Sequence, residues 1–206
     1  MTVHNLYSGS WLSNCYVLMS RGSDGQTHAA VVDPSSPADK ICEFLATHGA
    51  TLDMIILTHG HFDHIMSLDS LRERTDAIAY VHEEDAEMLS DGKKNAYSFF
   101  FSANWCQRDA DRTLLDGDVL SIGDEKLTVI HLPGHSKGSI ALLSDDFILT
   151  GDTLFYGGIG RCDLYSGNMF ELYKSIERLR ALDPQLTIYP GHGKSATLRH
   201  ALDSVF

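Results

Sequence analysis

Asp53-Met54-Ile55-Ile56-Leu57-Thr58-His59-Gly60-His61-Phe62-Asp63-His64 is the stretch on which the reading of this chain turns. Asp53 to Leu57 is rich in apolar and β-branched residues, as a buried strand is. It runs into four imidazole or carboxylate side chains within six residues: His59, His61, Asp63 and His64. A helix would turn His59 and His61 to different sides, whereas extended or looped backbone sets them side by side. If a helix starts near Asp63, then Asp63 and His64 occupy its first turn and point back to the same cavity. One segment then offers two side chains to each of two neighbouring cations. Imidazole nitrogen and carboxylate oxygen are donors that zinc accepts at ~2.0–2.2 Å in open, water-bearing sites.

The same arrangement recurs outward from this stretch. His135 follows a strand at Leu127–Ile130, Asp152 follows Phe147–Leu149, and His192 follows Leu186–Tyr189. Loops at the strand ends of a packed sheet meet at one edge, so residues distant in sequence can share one site. The remaining histidines considered, His4, His28, His48, His82, His131 and His200, stand outside these clusters and read as structural or surface residues. Phe62 reads as a packing residue.

Other elements follow from pattern. Cys15–Met19, Ala29–Val32 and Ala77–Val81 read as strands, as do segments within Val119–Ile130 and Ile140–Leu149. Ser36 is placed to cap a helix with Pro37 at its first position, Ile41, Phe44 and Leu45 inward and Gly49 just past its end. Ile65, Leu68 and Leu71 mark a second helix face. The last helix is expected over Asn168–Leu182 with Leu172, Ile176 and Leu179 inward, and Leu186–Tyr189 as the final strand. The region from Glu83 to Asp118 is irregular. Its aromatic run, Tyr97, Phe99, Phe100, Phe101 and Trp105, reads first as a satellite core and second as an apolar wall over the site. No Pro/Gly/Ser linker divides the chain, so residues 1–206 are expected to form one domain.

Composition narrows the classes. The net charge of −12 repels phosphate backbones, so no nucleic-acid partner is expected. The apolar runs are too short to span a bilayer, so no membrane association is expected. The N-terminal stretch shows neither a basic nor an apolar export region, which makes the cytoplasm the expected location. Four cysteines, Cys15, Cys42, Cys106 and Cys162, contain no CxxC pair and read as free thiols. Oligomeric state is not legible.

The motifs together resemble a known family. Thr58–His64 (THGHFDH) resembles the THxHxDH signature of the metallo-β-lactamase superfamily. Pro133-Gly134-His135-Ser136-Lys137-Gly138-Ser139 resembles its PGHTxGS element, with Ser136 where Thr is usual. Gly151–Phe155 resembles its GDTLF element and Pro190–Gly193 its PGHG element. The resemblance covers essentially the whole chain. It implies an α/β fold, a four-layer αββα sandwich with the metal site at the strand-end edge between two sheets. It also implies that His59, His61 and His135 hold one metal, that Asp63, His64 and His192 hold a second, and that Asp152 bridges them. An imidazole offers one lone pair and a carboxylate two oxygens, which agrees with Asp152 as the bridge. Two divalent ions are implied, zinc first, with iron or manganese as alternatives. Asp33, in a Val32-Asp33-Pro34 element that the family shares, reads either as a partner fixing a ligand histidine or as a turn aspartate.

The segment Gly158-Ile159-Gly160-Arg161-Cys162-Asp163-Leu164 resembles the glyoxalase II-like (hydroxyacylglutathione hydrolase-like) branch and the related persulfide dioxygenases. The first resemblance implies hydrolysis of an acyl-thiol thioester, such as an S-acyl glutathione, by a metal-bound hydroxide, with Asp63 as a ligand that could also transfer a proton. The second implies a mononuclear iron dioxygenase. Arg161 is the candidate contact for a substrate carboxylate, against a plain ion pair with a nearby acid. Asp163 stands where glyoxalase II enzymes carry an aromatic residue. Fourteen residues follow His192, so the sequence resembles a short form without the C-terminal helical extension.

Overall fold

The structure is a computed structural model that describes residues 1–6 and 13–205. Residues 7–12, part of the N-terminal stretch read above for export signals, lie outside them. In the first sheet the chain lays down β1 (Thr2–Asn5), β2 (Tyr16–Arg21) and β3 (Thr27–Val32), crosses by helix α1 (Ala38–Thr47) to β4 (Ala50–Ile56), and by α2 (Leu68–Thr75) to β5 (Ile78–His82). Two short helices, α3 (Ala86–Leu89) and α4 (Tyr97–Phe101), precede β6 (Arg112–Leu114). These six strands pair in chain order, antiparallel from β1 to β3 and parallel from β3 to β6. Parallel neighbours require crossovers, and the helices supply them.

The second sheet begins with β7 (Val119–Ile122), β8 (Glu125–His131), β9 (Ile140–Leu143) and β10 (Phe147–Gly151). A small hairpin of β11 (Leu154–Phe155) and β12 (Gly158–Ile159) leads to α5 (Met169–Arg180), then β13 (Thr187–Pro190), β14 (Ala196–Thr197) and α6 (Leu198–Asp203). The order across this sheet is β14-β13-β10-β9-β8-β7, with β10 and β13 parallel.

Strand alternation creates the layers, because successive side chains face opposite ways and here both faces are covered. On β2 and β3, Tyr16, Leu18, Ala30 and Val32 join Leu127, Val129, Leu142 and Leu149 of the second sheet in the inter-sheet core. Their neighbours Val17, Met19, Ala29 and Val31 pack with Ile41 and Leu45 of α1 and Leu68 and Leu71 of α2. On the far side, Ala141, Ile148 and Ile188 pack with Ile176 and Leu179 of α5 and Ala201 and Leu202 of α6. The result is the expected α/β four-layer αββα sandwich.

Several local expectations shift. Pro37, not Ser36, occupies the N-cap of α1, and no side chain caps that end. The Ser36 hydroxyl donates instead to the Leu6 carbonyl, tying β1 down. Gly49 sits beyond the helix at φ +59°, the left-handed conformation expected of a stop. The helix expected near Asp63 is a single 3₁₀ turn, Phe62–His64, and α2 starts only at Leu68. The strand expected at Leu186–Tyr189 forms as β13 (Thr187–Pro190) but is not the last element, since β14 and α6 follow. A two-residue strand and a six-residue helix are too short to write a period into sequence. Among the described residues, no helix is long and apolar enough to cross a membrane.

Candidate metal centre

The strands β3, β4, β10 and β13 each end near one edge, and the chemistry-bearing residues follow them. His59 and His61 leave β4, Asp152 leaves β10, and His192 leaves β13, while His135 sits in the loop from β8 to β9. All seven predicted residues converge there. His59, His61 and His135 form one cluster of potential ligand atoms, and Asp63, His64 and His192 form another. His135 Nε2 is 2.8 Å from His61 Nδ1 and 3.2 Å from His59 Nε2. In the second cluster, Asp63 Oδ2 is 3.2 Å from His192 Nε2 and 3.8 Å from His64 Nε2.

Asp152 touches both clusters. Its Oδ1 is 3.4 Å from His64 Nε2, and its Oδ2 is 3.6 Å from His135 Nε2 and 3.5 Å from His192 Nε2. Glycines make this approach possible. A Cβ on Gly160 would lie 1.9 Å from the Asp152 carbonyl oxygen, and one on Gly191 would lie 2.1 Å from Asp152 Oδ1. The His192 loop is pinned by the first sheet: the Asn14 side chain donates to the carbonyls of Pro190 and Gly193, each at 2.9 Å.

Outer partners fix which ring nitrogens face inward. His135 Nδ1 donates to the Arg161 carbonyl at 2.8 Å, which leaves Nε2 as the lone-pair atom in the cluster. His64 Nδ1 donates to Asp33 Oδ2 at 2.8 Å, so its Nε2 is free toward Asp63 and Asp152. Asp33 is thus the histidine partner as well as the turn residue; its φ is +52°, and it also accepts from the Thr58 amide and hydroxyl at 2.7 Å each.

Buried polar atoms are almost always satisfied. Here His64 Nε2 and Asp152 Oδ1 are buried without a hydrogen-bond partner, as is His61 Nε2. Buried imidazole nitrogens facing carboxylates are a donor set for divalent cations, so the residues present fit such ions.

The electrostatics divide the same way. Burial, reinforced by His64 and His135, holds His59 well below the ordinary imidazole range. Burial and the adjacent His135 take His61 down to about 3. Burial opposes charge on His64 too, but Asp152, Asp33 and Asp63 outweigh it and hold its pKa well above the ordinary value. Likewise burial is overcome at His192 by Asp152 and Asp63, which raise it to about 9. Asp152 is held well below the carboxylate range, since His64 and His192 outweigh its burial.

A cavity of about 290 Å³ opens over the cluster. His61, Asp63, His135, Asp152 and His192 line its floor, and Phe62, Phe100, Phe101 and Leu164 form an apolar side. The aromatic run divides: Phe100 and Phe101 form part of the cavity wall, Trp105 packs against the first core with Tyr97 beside it, and Phe99 is 67% exposed. Phe62 both packs, edge-on against Tyr97 and Phe101, and lines the cavity. Arg161 reaches the rim, and its guanidinium is paired with Asp163 at 2.6 and 2.8 Å.

The sequence reading missed Asp85. This fully buried carboxylate accepts from the Gly60 amide at 3.0 Å, the Ser136 hydroxyl at 2.6 Å and the Gly138 amide at 2.7 Å. It joins the two loops that carry His59, His61 and His135. Its place just after β5 repeats the strand-end pattern of the other residues, but Glu83 and Glu84 share that place, and burial alone sets Asp85 apart. His82 and His131 stay outside the centre, stacked at 4.0 Å beside Glu84.

Residues 9–192 match the family described as the metallo-beta-lactamase superfamily. A probable metallo-hydrolase of Bacillus subtilis (strain 168), YqgX, is 37% identical over 185 residues, covering 88% of this chain and 85% of the relative. The solved structure of the BLEG-1 B3 metallo-beta-lactamase is similar with a TM-score of 0.88 at 30% identity, covering 98% of this chain and 97% of its own. A di-iron-bound form of TTHA1623 is similar with a TM-score of 0.82 at 30% identity, covering 96% of each chain.

Proposed function

The chain belongs to the metallo-beta-lactamase superfamily of metal-dependent hydrolases, and from that premise we propose that it is a single-domain, dinuclear hydrolase cleaving thioesters of small acyl-thiols. One observation carries this reading: two three-residue clusters share a single carboxylate, Asp152, within 3.6 Å of ring nitrogens from both. His59, His61 and His135 would hold one divalent ion, Asp63, His64 and His192 the other, with Asp152 common to both and zinc the first candidate. Bound there, a pair of divalent cations supplies Lewis acidity and a nucleophile at neutral pH.

The chain's own residues do the rest. Asp33 and the Arg161 carbonyl hold His64 and His135 in the tautomers that face the site. Phe62, Phe100, Phe101 and Leu164 receive an apolar acyl group and keep water from it. Asp63, on the cavity floor beside His192, is the carboxylate placed to take a proton. The neighbouring histidines hold Asp63 below and Asp152 well below the ordinary carboxylate value, so neither stands in the site as a resting carboxylic acid for a poor leaving group. A thiolate, whose thiol has a pKa of ~8.5, departs without one. That favours thioesters over amides.

The test is to purify the protein without chelators, count its metals, and compare three reactions: hydrolysis of acyl thioesters, hydrolysis of a chromogenic β-lactam, and oxygen uptake with glutathione persulfide. Two divalent ions per chain and thioester cleavage that a chelator removes are expected. A single iron with oxygen uptake would replace this reading by a persulfide dioxygenase, and preferential β-lactam turnover would replace it by a lactamase.

A further inference from the structure

Arg161 is the one Lys or Arg among the described residues lining the cavity. Its Nε donates to Asp163 Oδ1 at 2.6 Å and its Nη2 to Asp163 Oδ2 at 2.8 Å. The Nε–Nη2 side of the guanidinium, one of the planar forks that grip carboxylates in bidentate fashion, is therefore closed by a carboxylate from the same loop. The charge that would recruit an anionic substrate is balanced at the rim itself.

Backbone contacts hold the loop of this pair against the site. The Arg161 carbonyl accepts from His135 Nδ1 at 2.8 Å. On one side, Gly160 is packed so tightly that a Cβ would lie 1.9 Å from the Asp152 carbonyl; on the other, a Cβ on Gly167 would lie 2.4 Å from the Cys162 carbonyl. Above the histidine and aspartate floor, the cavity side formed by Phe62, Phe100, Phe101 and Leu164 is apolar, and the guanidinium lies 6.0 Å from the Phe100 ring centre. The net charge of −12 adds a long-range field that disfavours anions.

We propose that Asp163 selects the substrate by charge: paired with Arg161, it leaves the rim neutral, so the cavity takes thioesters of uncharged thiols with apolar acyl groups in preference to thioesters whose thiol carries carboxylates. The inference rests on the thioester reading above and names the substrate class within it. A tethered carboxylate competes with a diffusing one at an effective concentration of roughly millimolar or more. The side chains of Arg161 and Asp163 are 45% and 66% exposed, so water screens the pair. For an exposed pair of this kind the competition amounts to roughly three- to fivefold.

The experiment compares wild type with Asp163→Asn on butyryl thioesters of N-acetylcysteamine, which is uncharged, and of glutathione, which carries two carboxylates. It also measures calorimetric binding of S-hexylglutathione, a thioether that cannot be hydrolysed. Asp163→Asn is expected to lower KM for the glutathione thioester roughly three- to fivefold with kcat unchanged, and to tighten S-hexylglutathione binding equally. The uncharged thioester should move less than twofold, and adding Arg161→Ala or about 0.5 M salt should erase the gain. If both thioesters shift alike, or KM and binding stay fixed while thioesters are turned over, the role assigned to Asp163 is wrong and the thioester reading survives. If no thioester is cleaved but Asp163→Asn still tightens S-hexylglutathione, the reaction is wrong and the charge selection stands.

Discussion

Asp33 Oδ2 lies 2.8 Å from His64 Nδ1, and that contact turns the opposite ring nitrogen toward Asp63 and Asp152. The same oxygen accepts the Thr58 hydroxyl at 2.7 Å, so one buried carboxylate atom serves two donors at once. Asp33→Asn preserves the shape but cannot present acceptor oxygens to all three of its present donors. Metal affinity is expected to fall ~10- to 100-fold, read by competition with a chromophoric chelator. Affinity equal to wild type would mean that packing alone orients His64.

His61→Ala removes a ring that stands 2.8 Å from His135 and whose other nitrogen is buried without a partner. Bound metal per chain should drop and turnover should fall by more than about 100-fold, the scale of a lost electrostatic contribution at a reacting centre. Elemental analysis beside an activity assay checks both, and retained activity with full metal content would remove His61 from the site.

Freed of metal by a chelator, the protein should be most stable near pH 6.5. The folded-state pKa of His192 is raised from 6.5 to about 9, so its contribution is complete below 6.5 and is lost as pH climbs toward 9. His61 runs the other way: lowered from 6.5 to about 3, it resists protonation in the fold, and stability drains as pH drops below 6.5. Calorimetric melting of the chelated protein at pH 5, 6.5 and 9 is expected to trace this dome. A Tm that rises monotonically across the series would contradict it.

Asp85→Ala strips the acceptor from the Gly60 and Gly138 amides and the Ser136 hydroxyl, all within 3.0 Å of it. Leaving buried donors unsatisfied costs about 1–3 kcal/mol each before relaxation, so a loss of about 3 kcal/mol in urea unfolding is expected. Metal affinity should weaken with it, because the loops of His59 and His135 lose their common brace. A stability change below about 0.5 kcal/mol, the range of ordinary surface substitutions, would show that Asp85 braces nothing.

Much of this was legible in the residues. The dense run from His59 to His64 announces a site because polar metal donors rarely crowd the end of a buried strand, and the strand-end positions of His135, Asp152 and His192 follow the same logic. The helix stop at Gly49 and the inward face of α5, with Asn168 accepting from the Phe170 and Glu171 amides at its start, are also written locally. What escaped depends on tertiary contact. Asp85 is one acid in Glu83-Glu84-Asp85, and only packing shows that it alone is buried. The exposure of Phe99 to Phe101 contradicts the ordinary habit of clustered aromatics, and of the three Phe100 and Phe101 face the neighbouring cavity. Arg161 makes the ion pair with a nearby acid that was one of its two readings, and it does so while lining the cavity.

Each ligand cluster draws two members from the loop after β4 and one from the second sheet, His135 in one case and His192 in the other. A cation held there would staple the front and rear halves of the polypeptide, β1–β6 and β7–β14, and its binding energy would count toward their docking; a ligand at a thousand times its Kd adds about 4 kcal/mol to the state that binds it. Neither half owns a full donor set. On the dinuclear reading proposed above, filling both clusters during synthesis would have to wait until residue 192 has left the ribosome, and metallation would then be a late checkpoint on correct assembly.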